Sequence, residues 1–83
     1  MAEVVPFPLG RRLDFVWRQA RWFCEQPQRA AEKNLRVQID VQAKTMRARG
    51  IAEDLIAEQC RQVEAAIRLE IHYQMLMAPD GVA

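Results

Sequence analysis

Between Leu55 and Leu76 the chain carries two apolar stripes at helical spacing, where a simple amphipathic helix needs one. Ile56, Cys60, Val63, Ile67 and Ile71 make the first. Leu55, Ala66, Leu69, Tyr73 and Leu76 make the second, with Gln62 in its vacant position. Both keep the alternating three- and four-residue step of helix-packing seams, and at about 100° per residue they lie roughly 120° apart. Residues 27–49 repeat the arrangement. Ala31, Leu35, Ile39 and Met46 share one face, and Ala30, Val37, Val41 and Ala48 lie nearly opposite. A helix with two apolar faces needs two neighbours, so the pattern speaks of architecture and association before chemistry.

Eighty-three residues make one domain. A chain this short buries only roughly 60% of its unfolded surface, and a single core seldom suffices without a metal, disulfides or a partner. Two cysteines and one histidine are too few for a zinc site of familiar spacing, which leaves helix packing or oligomerisation. Net charge is +1, but residues 1–50 hold ten Lys/Arg against five Asp/Glu, and residues 51–83 hold two against six. That asymmetry favours packing the halves together or against a second copy. No uncharged stretch is long enough for a membrane span. Val4 to Leu9 is too short for a signal-peptide core, and charges interrupt the segment after Arg11–Arg12. The expected compartment is the cytoplasm, with reduced thiols.

Along the chain, Val4-Val5-Pro6-Phe7-Pro8 reads as an extended arm within residues 1–9, because each proline pushes its predecessor away from helix. A first helix is expected over residues 10–25, with Leu9, Leu13, Val16, Ala20 and Phe23 in one arc. Pro27 is placed to open the second helix, residues 27–49, as its first helical residue. Gly50 after Arg47 and Arg49 marks the stop. The third helix is expected over residues 52–77, with Glu53 and Asp54 in its first turn, and Pro79-Asp80-Gly81 begins a disordered tail, residues 79–83. The fold class is therefore all-α: one domain over residues 1–78, an arm, a short helix and a long antiparallel hairpin. The second stripes predict a homodimer.

No constellation for catalysis stands out. The chain has no serine, its one threonine is Thr45, and His72 and Glu70 lack partners at useful spacing. We expect no enzyme activity, no cofactor and no metal. Cys24 and Cys60 are expected to stay unpaired, because hairpin geometry sets them well over about 10 Å apart, beyond disulfide reach; buried, inert thiols are the expectation. Three sets of candidate binding residues remain. Val37, Val41, Leu69, Tyr73 and Leu76 are the candidate partner or dimer face. Arg11, Arg18, Phe15 and Trp22 form a basic and aromatic face on the first helix that could engage nucleic acid, arginine on phosphate and rings on bases. Pro6, Phe7 and Pro8 form an arm motif in which Phe7 either caps the core or recognises another protein.

Glu3-Val4-Val5-Pro6-Phe7-Pro8 with Arg11-Arg12, then Ala31-Glu32-Lys33-Asn34-Leu35, Arg49-Gly50-Ile51 and Glu64-Ala65-Ala66-Ile67-Arg68, cover nearly the whole chain. In these segments the sequence resembles a family of short, helical, mainly alphaproteobacterial proteins of unknown function that open with a V-x-P-F-P motif. The resemblance implies an intact small bacterial domain and transfers no activity or site residue. The functional expectation is a non-catalytic protein–protein interaction or regulatory module, with a nucleic-acid-binding accessory protein as the alternative.

Overall fold

The computed structural model describes residues 9–77, and side chains from residue 12 onward. The arm motif, the side chain of Arg11 and the tail fall outside these residues. Three α-helices follow one another, α1 (Leu9–Cys24), α2 (Gln28–Ala48) and α3 (Glu53–Met77), with no strand among the described residues. Each lies within a residue or so of its expected bounds. The difference at Pro27 has a local cause. Its ψ of 143° is extended, so it caps α2 instead of opening it, and its carbonyl accepts the Ala31 N–H at 2.9 Å.

The α2–α3 turn is set by Gly50, whose φ of 81° only glycine adopts without strain. The Ile51 N–H donates to the Met46 carbonyl at 3.2 Å and the Gly50 N–H to the Arg47 carbonyl at 3.0 Å, closing a Schellman motif. Ile51 and Met46, the flanking pair of that motif, are both buried in one cluster with Ile56. Arg47 then clasps Glu53 across the turn through Nε and Nη2. Chain reversal, core closure and ion pairing thus coincide within eight residues.

Pairing continues up the hairpin. Arg68 on α3 donates to both oxygens of Glu32 on α2, at 2.8 and 3.1 Å, and to Glu64 one turn back. α1 is antiparallel to α2 and therefore parallel to α3, and Arg12 reaches the Gln62 Oε1 at 3.5 Å. The main cluster joins Phe15, Val16 and Ala20 of α1 to Leu35 of α2 and Val63, Ile67 and Ile71 of α3. α1 has 16 residues against 25 in α3, about 24 Å against about 37 Å, so it covers only part of the hairpin. The closed end keeps its separate cluster of Met46, Ile51 and Ile56. The result is an elongated molecule, with a radius of gyration of 14.4 Å where a compact 83-residue chain has about 12 Å.

Two expectations for α1 need correction. Leu13 is 61% exposed, whereas Phe15 is 6% exposed and belongs to the core. The two lie about 160° apart on the helix, so one packing surface cannot bury both. Val16, Ala20 and Phe23 pack together with Phe15, and this turns Leu13 outward. The second correction concerns Cys24, expected to be buried, which lies exposed on the last turn of α1.

Candidate functional site

On α3 the two stripes part company. Ile56, Val63, Ile67 and Ile71 are buried, while Leu69, Tyr73 and Leu76 are 71, 58 and 69% exposed. The exposed flank borders α1, because Gln62, which belongs to the same stripe, accepts the hydrogen bond from Arg12. Ala66 lies partly buried against the main cluster at the seam. Where two parallel helices meet, the flank of α1 beyond Ala20 and the flank of α3 beyond Ala66 open on one side of the molecule. Leu13 and Trp17 stand on the first flank, and Leu69, Tyr73 and Leu76 on the second. All five are exposed. Arg21 covers Trp17, its guanidinium carbon 5.3 Å from the ring centroid. Glu70 and His72 line the shallow depression beside Leu69 and Tyr73, and the Glu70 carboxylate accepts from the Gln74 amide at 3.2 Å.

Val37 and Val41 are exposed too, but elsewhere. The edge of α2 nearest α3 is marked by Glu32, which binds Arg68. Val37 lies about 140° and Val41 about 180° round α2 from that edge. The candidate partner face therefore comprises two surfaces, one formed by α1 and α3 and one on α2. The α2 surface is basic. Arg29, Lys33 and Lys44 are exposed, and no ion pair joins them to another of the described residues.

The candidate nucleic-acid face is taken apart by packing. Phe15, offered as a stacking ring, is in the core, where it belongs to the cluster of Val16 and Ala20 that Phe23 also packs against. Arg18 pairs with Asp14 at 3.0 Å and Arg21 with Glu25 at 3.5 Å. Trp22 is 41% exposed.

Charged groups elsewhere serve the fold. The hydrogen bond from Arg68 holds the Glu32 carboxyl below the ordinary carboxylate range, and that from Arg47 does the same for Glu53. Glu58 is likewise lowered, by Gln62 and then Arg61. A crevice of about 200 Å³ lies between α2 and α3, but the carboxylates of Glu32 and Glu64 at its wall are both taken by Arg68. Cys24 and Cys60 are free, and burial raises both thiol pKa values, so neither is activated. Among the described residues no group of three or more His, Cys, Asp or Glu could hold a metal. None of their helices is long and apolar enough to cross a membrane.

The chain belongs to a family of unknown function designated DUF6074, which matches residues 1–80. No curated protein matches it, and no solved structure does. The resemblance segments that lie among the described residues are accounted for by folding. Arg49-Gly50-Ile51 is the Schellman turn, Ala31 and Leu35 are buried, Glu32 and Glu64 hold Arg68, and Ile67 is core. Sequence reasoning missed Leu13 and Trp17 as surface members. The place of Trp17 on the far side of α1 from Phe15 was the available signal.

Proposed function

We propose that this protein is a non-catalytic protein–protein interaction module that works as a homodimer. The observation that carries the reading is the exposure of large apolar side chains on α1, α2 and α3 around a core that is already closed. Contiguous apolar surface of more than a few hundred Å² is uncommon on monomers and marks an interaction surface. Of the acids lining the crevice between α2 and α3, Glu32 and Glu64 are committed to Arg68. Two free thiols suit a reducing compartment, and the cytoplasm is the location we assign.

Sedimentation equilibrium of the full chain tests the dimer, with the mass of two 9.6 kDa chains expected at micromolar concentration. A single-chain mass up to high micromolar concentration would exclude it. Raising salt separates this reading from nucleic-acid binding. Apolar association persists, whereas phosphate-driven binding weakens steeply.

A further inference from the structure

The geometry points to a particular self-association site: α3 packs antiparallel on α3 of a second copy, with Leu69 opposite Tyr73 and Ala66 opposite Leu76. This rests on the homodimer reading above and assigns it a face and a direction. The exposed positions Gln62, Leu69, Tyr73 and Leu76, with the partly buried Ala66, step by four, three, four and three residues, the repeat of a packing seam in which the two sets of positions alternate. In an antiparallel pair each position of one set meets one of the other. A two-fold axis near residue 71 then gives four layers, Ala66–Leu76, Leu69–Tyr73 and their symmetry mates, all apolar. A small residue faces a large one at either end, and the two larger residues meet beside the axis. This register leaves Gln62 beyond the last layer, where Arg12 already holds it.

Three further observations favour a second copy of this chain as the occupant. First, the layer positions Ala66, Leu69, Tyr73 and Leu76 carry no formal charge; of the charges that flank them, Arg68 points to Glu32 on the opposite flank and Glu70 accepts from the Gln74 amide. In an isologous contact each residue meets the one related to it across the two-fold axis, so uncharged layers bring no like-charge repulsion into the seam. Second, the area suits a dimer. Leu13, Trp17, Leu69, Tyr73 and Leu76 leave on the order of 700 Å² of side chain in water, close to what one partner gives to a standard interface. Third, α1 forms one wall of the groove. With α1 parallel to α3 and Arg12 level with Gln62, Trp17 stands near the level of Ala66, where Leu76 of the second copy arrives.

Two measurements test the proposal. Leu69→Glu and Leu76→Glu alter side chains outside the core, so each variant should keep its helical circular dichroism, while its melt loses its dependence on protein concentration. Each should raise the dimer dissociation constant about tenfold or more, because a carboxylate would be buried in an apolar layer. Val37→Glu on α2 should leave it unchanged. A wild-type chain that is monomeric overturns the dimer reading and this site together. A wild-type dimer that Val37→Glu breaks and Leu69→Glu does not overturns only the site. Direction is read by disulfide trapping in a background carrying Cys24→Ala and Cys60→Ala. Mixed Leu69→Cys and Tyr73→Cys chains should cross-link to each other faster than either does to itself. Faster self-linking of each variant would establish a parallel pair and overturn the antiparallel assignment.

Discussion

Ile67 is the side chain on which the three helices converge. It is fully buried, lies in the main cluster with residues from α1 and α2, and has Val63 and Ile71 a turn away on either side. Removing three carbons there leaves a cavity that fixed helix backbones close poorly, so Ile67→Ala should cost about 3–5 kcal/mol. That equals the whole stability expected of a domain this small. The expected outcome is a chain that fails to show a cooperative urea transition at 25 °C, while Ile67→Val unfolds at a lower midpoint with the same slope. Cysteine chemistry gives a second prediction at this scale. Cys24 and Cys60 are both free, and burial disfavours each thiolate, so oxidation in air should be slow. Thiol titration of protein purified without reductant should return two groups per chain. An internal bridge found by mass mapping would contradict the helix arrangement itself. Periodicity sufficed to read Ile67 as core, because its stripe has five members at unbroken spacing. Leu13 was read into the buried arc of α1 and lies exposed for a physical reason. A helix of 16 residues that touches two neighbours buries a broad sector, and its centre depends on where the neighbours stand, which no single helix encodes.

At the scale of elements, the hairpin is the part most directly written in the chain. Gly50 supplies the left-handed residue, Ile51 and Met46 the apolar pair, and Arg47 and Glu53 the clasp. A Cβ at Gly50 would meet nothing within 4 Å, so a substitution there probes backbone strain without added steric clash. Gly50→Ala should therefore destabilise by about 1–2 kcal/mol, the left-handed penalty, with no change in helix content. A shift in the thermal midpoint of several degrees is expected, and none at all would mean that the turn takes another form. The two-stripe pattern also foretold which α3 residues would be left outside once the hairpin closed. What periodicity could not show is that the surplus stripe of α3 faces α1, whereas that of α2 does not face α3. Face assignment between helices depends on bundle handedness, which is set by how the short Glu25–Pro27 connection turns the chain. Val37 and Leu69 therefore looked like parts of one surface and belong to two.

For the molecule as a whole, the halves of opposite charge meet through a few defined bridges. Glu32 on the basic side of the sequence receives Arg68 from the acidic side, and Arg47 on the basic side meets Glu53 on the acidic side, the reverse sense. These groups are well exposed, so each bridge adds little to stability, and less at high salt. Their effect on pH dependence is nevertheless fixed in sign. Glu32, Glu53 and Glu58 have folded-state pKa values below the ordinary 4.5, chiefly through hydrogen bonds from Arg68, Arg47 and Gln62 respectively. In the folded state they bind protons less readily than in the unfolded chain. The stability they confer is thus complete above the unfolded pKa and disappears as pH falls through the folded values. The urea midpoint should be flat from neutral pH down to about 5 and then decline below about 4.5. Arg68→Met retains the long apolar stem that spans α2 and α3 but removes the charge. It should lower the plateau slightly and make the acid decline shallower, since Glu32 loses the hydrogen bonds that lower its pKa. If the variant and the wild type fell in parallel between pH 5 and 3, the acid response would have to come from carboxylates outside this cross-helix bridge.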